Sequence, residues 1–389
     1  MFGVASANAL RGLRGGSRVF GALSKTTTTQ RRLLSSTQSR QASKIIHFTK
    51  CSSPELDETL KTIREQLILP VYLPVEQRKK IYSEKNKAAL DRDPITVEID
   101  GEVVQFGYRD MMQLPNTRYL MKQAITAMKT PADFNNLWPL LEGVCFQAGR
   151  QMPPMVFRRA LRKADNAGCL GVILECVKNV KKTKFRLDDH ELVAHLLLAI
   201  QRVAFRSGWQ EQETVRALKR VQLVLDLLEG EPEHQEWVKR NTKVKFAYPF
   251  HRDPIFLAAG LHMGAALALK HHKGKDMDGV AGYARQLVAL WPESAGLLEL
   301  QPKSAFVVDG VDYLMNPQQT ITIGSVVVSA LRLAAKVVEP ELAAELEKRA
   351  ALVQPEVDRA VAELDDGRRE WFLELAGHKE LFGPESLLA

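Results

Sequence analysis

The sequence predicts a mostly α protein in which helical hairpins stack into an α-solenoid-like array, with two small β-hairpins added. Three observations support this fold class. Apolar residues recur at helical spacing along most of the chain, a central pattern of paired helices returns after about 35 residues, and strand-like alternation is confined to two short segments around Asp-Gly. With 389 residues, 45% of them hydrophobic, the chain can build a substantial core.

The first 34 residues have the composition of a mitochondrial transit peptide. Residues 1–54 contain nine Lys or Arg and no acid. Arg11, Arg14 and Arg18 lie opposite apolar residues on a helical projection, and an amphipathic cationic helix of this kind directs import into mitochondria. Residues 32–36 (Arg-Leu-Leu-Ser-Ser) are similar to a matrix-protease cleavage site. We therefore expect a transit peptide at 1–34 and a protein of the mitochondrial matrix.

The formal net charge of +8 belongs to this leader, because residues 55–389 carry 45 basic and 46 acidic residues, a net of −1. The charge of that remainder is nevertheless unevenly distributed. Residues 150–186 hold ten bases and two acids, whereas residues 339–389 hold six bases and 13 acids. This pattern predicts a basic middle and an acidic end rather than a uniformly basic protein.

After the leader, residues 35–92 are predicted to form a helical arm. Ser53-Pro54-Glu55 provides a cap, a proline and an acid where a helix begins, and a second helix is expected at about 75–90. Residues 95–106 alternate around Asp100-Gly101, which predicts a β-hairpin within 93–115. Helices are expected at about 117–128 and 131–148.

Residues 151–230 are the centre of the predicted array, which spans 116–300. The first helix places Val156, Phe157, Ala160, Leu161 and Ala164 on one face and ends at the turn residues 165–168. Further helices are expected at about 170–177, 188–205 and 210–228, and a shift of 35 residues aligns the third with the first.

Two more helices are predicted at about 254–269 and 279–290, which completes this array. The remaining region, 301–389, is predicted to contain the second hairpin and an acidic helical region. Residues 306–314 repeat the Asp-Gly signal, and helices follow at about 323–338, 340–353 and 355–375.

A period near 35 with paired helices resembles the pentatricopeptide and tetratricopeptide families. Pro154, Phe157, Leu161, Ala164 and Gly168 are spaced as in the first helix and turn of a pentatricopeptide unit. The resemblance covers mainly residues 153–230 and 254–292, where small residues in one helix and a proline after the next are tetratricopeptide-like. It implies stacked helix pairs in a degenerate helical-repeat protein of mitochondria.

Signatures of catalysis and of cofactor binding are missing from the sequence. There is no phosphate-binding glycine loop with its lysine, no nucleophile elbow and no metalloprotease motif. The four cysteines lack metal-ligand spacing and are interpreted as buried reduced thiols. No apolar run reaches the ~18 residues that span a bilayer. We therefore predict no enzyme activity, no cofactor, no metal and no transmembrane segment, with peripheral contact to the inner membrane left open.

The predicted binding surface is the basic segment of this array. Its side chains could track the phosphates of RNA or dock an acidic protein. They are Arg158, Arg159, Arg162, Lys163, Lys178, Lys181, Lys182, Lys184 and Arg186. Aromatic residues that could stack bases are scarce beside them, since only Phe157 and Phe185 are near.

From these features we predict a non-enzymatic matrix binding protein of mitochondrial gene expression, associated with the ribosome or with RNA through a basic helical face. Two alternatives stay open. One is a protein-only scaffold or assembly factor for a mitochondrial complex, with other matrix proteins as partners. The other is a matrix enzyme with an unrecognised site.

Overall fold

The computed structural model describes residues 44–235, 244–272, 278–384 and 386–388. The described residues from Ile45 onward belong to one compact unit. The transit-peptide prediction at 1–34 lies outside the described residues. The mostly α fold class is confirmed: long helices dominate the described chain, and one two-stranded antiparallel sheet accompanies them.

The helices follow one another with short connections. Those of the first half are α1 (Pro54–Ile63), α2 (Val75–Ile81), α3 (Lys87–Arg92), α4 (Thr117–Ala127), α5 (Pro131–Phe134), α6 (Leu137–Leu141), α7 (Pro154–Asn166), α8 (Leu170–Lys178), α9 (Val180–Thr183) and α10 (His190–Arg206). Those of the second half are α11 (Glu211–Gly230), α12 (Pro254–Lys270), α13 (Asp278–Leu290), α14 (Pro317–Ala335), α15 (Pro340–Ala362), α16 (Asp366–Ala376) and α17 (His378–Phe382). Short π-helical segments at Arg64–Ile68 and Glu142–Gln147 extend α1 and α6.

Most helix starts agree with the capping signals in the sequence. Ser53 accepts a hydrogen bond from the Leu56 amide at the start of α1, and Asp253 accepts one from Ile255 at the start of α12. The predicted helix at 75–90 is interrupted, because Ser83 adopts an extended conformation between α2 and a short 3-10 turn. A capped helix end is therefore easier to locate from sequence than an interruption without proline or glycine.

The first predicted β-hairpin is confirmed. β1 (Ile95–Ile99) pairs antiparallel with β2 (Glu102–Phe106), and Asp100 and Gly101 both have positive φ, as the tight two-residue turn requires. A lone hairpin is marginally stable, so one of its faces must pack on other elements. Here Phe106 is fully buried in a small apolar cluster together with Ile45, Leu69, Leu73, Ile81 and Leu90.

The second predicted β-hairpin is wrong. Residues 306–314 form turns and a short 3-10 helix, in which the Val311 amide donates to the Ala305 carbonyl at 2.8 Å. This bond closes the loop over Gly310, where a Cβ would lie 2.1 Å from the Ala305 oxygen. The Asp-Gly pair therefore turns the backbone as expected, but the flanking residues bury Val311 and Leu314 in the helical core instead of pairing as strands.

The boundary between the helices predicted at 340–353 and 355–375 also lies elsewhere in the structure. α15 continues through Pro355 to residue 362, and α16 follows as a separate helix. Proline in a helix removes one backbone hydrogen bond, yet the neighbouring turn is held by tertiary contacts. Val357 is buried close to Gly324 of α14, and Glu356 accepts from the Leu297 amide at 2.8 Å.

The helix pairs of the central region pack in chain order. α7 contacts α10, α10 contacts α12, and α12 contacts α14, while α8, α11, α13 and α15 pack beside their preceding helices. A polar network joins three of these inner helices within the core. His262 of α12 bonds Gln201 of α10 at 2.9 Å and Ser329 of α14 at 3.3 Å.

Burial in this network lowers the pKa of His262 from 6.5 to about 3. Burial likewise lowers the pKa of His234, beneath the loop after α9, to about 4. In both cases the folded protein holds the neutral form, whereas the unfolded chain takes up a proton below pH 6.5. Stability is thus fully present above pH 6.5 and is lost as the pH falls from 6.5 towards the folded values.

We expect the free energy of unfolding to fall between pH 6.5 and 5 by up to about 2 kcal/mol for each of these two histidines. Urea denaturation at several pH values measures it. His262→Asn is expected to reduce the slope, whereas Gln123→Asn, an exchange of neutral amides at an exposed position, leaves it unchanged. A stability independent of pH over this interval would contradict the assignment of neutral buried histidines.

Candidate functional site: a basic rim and cleft

Helix α7 presents its basic residues as the sequence predicted. Val156, Phe157, Ala160, Leu161 and Ala164 are all buried, which leaves the Arg and Lys positions on the other face. Phe157 packs on the fully buried Phe185 with their ring centroids 4.9 Å apart. Both rings belong to the core and offer no platform for a base.

Arg158 is used within the fold. Its guanidinium donates to Asp189 Oδ1 at 2.8 Å, forms an ion pair with Glu191 and lies 3.7 Å from Asp309. Asp189 precedes α10 but makes no side-chain cap to that helix, because its carboxylate is directed to Arg158 instead. Only 3% of the Asp189 side chain is exposed, so this contact compensates a buried charge.

The predicted lysines from the end of α8 to the residue after α9 are also paired within the molecule. Lys178 lies 2.7 Å from Glu175, Lys181 3.3 Å from Glu231, Lys182 3.6 Å from Glu142 and Lys184 3.2 Å from Glu233. Arg186 interacts with neighbouring groups of the chain as well. The carboxylates that pair with these lysines come from the surrounding helices and loops and not from the acidic C-terminal region.

Three predicted residues on α7 differ from the others, and we call Arg159, Arg162 and Lys163 the basic rim. Within the described part of the chain, none of the three forms an ion pair with a carboxylate. Arg159 makes a long hydrogen bond of 3.4 Å to the Thr126 hydroxyl, and Arg162 is exposed. These cations therefore keep their charge available at the surface.

The basic rim borders a cleft of about 420 Å³ between α7, α10, α14 and α16, which we call the basic cleft. It is lined by Met155, Arg158, Arg159, Leu161, Arg162, Asp165, Glu191, His195, Ala199, Arg202, Gln318, Gln319, Thr322, Phe372 and Ala376. Four arginines and two carboxylates line its polar walls.

Arg202 lies in the wall of this cleft and was not predicted from the sequence. Its guanidinium is 3.5 Å from Asp165, and its Nε is buried without a hydrogen-bond partner among the described residues. Burial lowers the pKa of Arg202, partly offset by Asp165, and burial raises the pKa of Asp165. The sequence feature that could have identified Arg202 is its position as an arginine in α10, a helix that is otherwise apolar around most of its circumference.

The opposite part of the cleft carries acceptors. His195 lies 3.8 Å from Glu191, and burial lowers the pKa of His195 to about 4, so that its ring is neutral at pH 7. Burial also raises the pKa of Glu191, opposed by Arg158 and reinforced by Asp189. The cleft is therefore cationic around Arg159, Arg162 and Arg202, whereas around Glu191 the cation Arg158 faces three carboxylates, those of Asp189, Glu191 and Asp309.

Residues 188–191 (Asp-Asp-His-Glu) concentrate titratable groups in four consecutive positions, and His190 among them has a structural role. His190 is fully buried, bonds Tyr313 through Nδ1 at 2.9 Å and Asp253 through Nε2 at 3.2 Å, and is surrounded by aromatic rings. The residues that the structure describes contain no cluster of His, Cys, Asp and Glu suited to a metal ion. Within the described residues, every helix is too short or too polar to span a bilayer.

Comparison with known proteins agrees with a binding role. Residues 32–379 match the family model for mitochondrial ribosomal protein mS27 (Mrp13). The small ribosomal subunit protein mS27 of Neurospora crassa is 42% identical over 357 residues, which cover 87% of this chain and 90% of that relative. A family match over most of the chain, together with this identity, shows that the chain belongs to the mitochondrial ribosomal protein mS27 family.

Proposed function

We propose that this chain is a non-enzymatic component of the mitochondrial small ribosomal subunit and that its basic rim contacts ribosomal RNA. The family is one of structural ribosomal proteins of the mitochondrial matrix. The observation that carries the RNA contact is the set of three neighbouring cations, Arg159, Arg162 and Lys163, with no carboxylate paired to them among the described residues. RNA phosphates attract such cations electrostatically, and this attraction does not depend on the base sequence.

The rest of the predicted basic surface takes a smaller part in this proposal. Arg158 and the lysines at 178–184 already have carboxylate partners, and a paired cation that contacts a phosphate must first lose or share that partner. These paired cations add to the positive potential around the basic rim, whereas the rim residues contact phosphates directly. The ordered pairs of helices support a pentatricopeptide-like array at 153–230 and 254–292 as the scaffold of this surface.

Two further predictions stay proposals. Residues 1–34 serve as the transit peptide, and the arm (35–92), hairpin (93–115), array (116–300) and acidic C-terminal region (301–389) are subdivisions of the mature protein. Membership of a ribosomal family does not favour the protein-only scaffold or the matrix enzyme. Contacts with other ribosomal proteins accompany the RNA contact, and peripheral association with the inner membrane stays a prediction.

Neutralising the basic rim is the direct test. We expect the triple variant Arg159→Gln, Arg162→Gln, Lys163→Gln to bind small-subunit ribosomal RNA more weakly, with the slope of log affinity against log salt reduced by about 2, since each lost phosphate contact removes roughly 0.7 from a single-strand slope. Filter binding of the full chain at salt concentrations from roughly 50 to 200 mM measures this slope.

The matched control removes three paired cations: Lys178→Gln, Lys181→Gln and Lys182→Gln. It changes the net charge equally, so a uniform electrostatic attraction predicts the same loss for both triple variants. The basic rim predicts a clearly larger loss for the α7 variant. Equal slopes in the two variants would contradict the rim as the RNA contact, and circular dichroism verifies that both variants are folded.

A further inference from the structure

The basic cleft is larger than a site for one phosphate group would need to be. Its volume of about 420 Å³ falls within the ~300–1,000 Å³ range of pockets that hold small organic ligands. Its walls also combine charged groups with apolar ones, since Leu161, Ala199 and Phe372 line it beside the arginines. The cleft thus suits a ligand with an anionic group and a flat, partly apolar body.

The cationic end of the cleft has more positive charge than its carboxylate neutralises. Arg202 and Arg162 share the surroundings of Asp165, and Arg206 adds to the positive potential there. A partly buried guanidinium whose Nε has no partner in the described chain is costly to desolvate. An anion with several acceptor oxygens would satisfy Arg202, and a phosphate accepts charge-assisted hydrogen bonds from arginine.

The other end of the cleft favours a hydrogen-bond donor. Glu191 is already paired with Arg158, but a carboxylate has about four lone-pair sites and can accept a further donor, and the neutral ring of His195 has one nitrogen that accepts. The amide oxygen of Gln319 is buried and has no partner among the residues that the structure describes. The exocyclic amino groups of adenine and cytosine are donors that such acceptors recognise, whereas uracil has a single N3–H donor flanked by two carbonyl oxygens, which such acceptors repel.

We propose that the basic cleft holds one nucleotide of a single-stranded RNA segment, with the phosphate at Arg202 and Arg162 and the amino-bearing base edge at Glu191. The inference rests on the proposed function and adds the chemical class of the bound unit and a base preference. Splayed-out bases of unpaired RNA are the usual targets of sequence-selective RNA proteins. The basic rim would guide the neighbouring phosphates past the mouth of the cleft.

An acidic peptide would also neutralise the arginines and offer backbone N–H donors, but it lacks a flat ring with a donor edge to pack along Leu161, Ala199 and Phe372. A free nucleotide shares the chemistry of the bound unit and differs in lacking neighbouring phosphates for the rim. Both are therefore included as competitors. With RNA as the occupant, a nonamer binds more tightly than the corresponding mononucleotide, and an acidic peptide does not displace it.

Fluorescence anisotropy with labelled nonamers of adenylate, cytidylate and uridylate tests the proposal on the full chain. The wild type is expected to bind the adenylate and cytidylate nonamers several-fold more tightly than the uridylate one. Arg202→Gln should weaken adenylate binding about tenfold, the effect of losing one charge-assisted hydrogen bond in a desolvated site. Lys163→Gln removes one charge from the rim outside the cleft, and its expected loss is about twofold, as for an exposed phosphate contact.

Glu191→Gln is the second variant, and it should abolish the preference for adenylate and cytidylate over uridylate while retaining most of the affinity. The proposal is overturned if Arg202→Gln and Lys163→Gln lose equal affinity, or if the base preference is absent in the wild type or survives in Glu191→Gln. Displacement by adenosine monophosphate at concentrations equal to the nonamer would assign the cleft to a free nucleotide, and displacement by polyglutamate would assign it to an acidic protein.

Co-sedimentation of each variant with mitochondrial small subunits separates this inference from the proposed function. A wild-type chain that sediments with small subunits but shows no base preference disproves the nucleotide cleft and leaves the ribosomal role intact. A wild-type chain that does not sediment with small subunits disproves the proposed function itself.

Discussion

Replacing Asp253 with alanine is expected to destabilise the protein by roughly 3–5 kcal/mol, because one buried carboxylate serves three groups. Asp253 Oδ1 accepts from the Ile255 amide and caps α12 at 2.9 Å. Its Oδ2 accepts from the Gln301 side chain at 2.6 Å and contacts His190 Nε2 at 3.2 Å. The alanine variant leaves these buried polar groups without a partner, and unsatisfied groups of this kind are costly.

Asp278→Ala is the matched control, since Asp278 also begins a helix but is exposed. We expect its cost to stay below about 1 kcal/mol, the usual size of a charge–dipole contribution at an exposed helix start. Urea denaturation followed by circular dichroism compares the two variants. If Asp253→Ala cost no more than Asp278→Ala, the His190 network would not contribute to the stability of the fold.

Replacing Arg158 with methionine should cost about 3 kcal/mol, since removal of one partner leaves the other charges buried without compensation. Asp189 is 3% exposed and Glu191 is 22% exposed, so neither carboxylate regains full hydration when the guanidinium is lost. Methionine keeps much of the side-chain volume, which separates the loss of charge from the loss of packing.

Arg159→Met provides the comparison on the same helix, because Arg159 has no carboxylate partner among the described residues. Its expected effect on the unfolding midpoint is small, and its effect on RNA binding is larger than that of Arg158→Met once both proteins are folded. The opposite ranking, with Arg158 controlling RNA affinity and Arg159 controlling stability, would contradict the division between the structural arginine and the basic rim.

The helical pattern of α7 could be predicted because local spacing alone determines which residues share a face. The same reasoning placed Arg158 and Arg162 together in one basic surface. Their different roles depend on Asp189 and Asp309, which reach Arg158 from other elements. Sequence periodicity describes one helix at a time and carries no information on a charge supplied by another.

The incorrect second hairpin has a similar physical origin. Asp309-Gly310 specifies a reversal of the backbone just as Asp100-Gly101 does, and Asp309 has positive φ like Asp100. Whether a reversal continues into paired strands depends on what the flanking residues pack against. After Asp309-Gly310 the chain packs into the helical core, and α14 begins at Pro317.

Arg202 was missed for the complementary reason. A helix that is apolar around most of its circumference predicts burial, and a single arginine in it reads as an ordinary exception. Arg202 becomes part of a candidate site only because α7 and α14 pack beside it and form the basic cleft. The cleft is thus a product of packing between helices that are remote in sequence.

The four cysteines determine how crosslinking experiments with the intact small ribosomal subunit can be designed. Three of them, Cys145, Cys169 and Cys176, are buried, and burial raises the pKa of Cys145 and Cys176 to about 12. Burial, reinforced by Asp57, raises the pKa of the half-buried Cys51 to about 12 as well. Because the thiolate is the species that alkylating reagents attack, the native chain should label slowly. A single cysteine introduced at an exposed position beside the cleft could therefore carry a photocrosslinker without prior removal of the natural thiols.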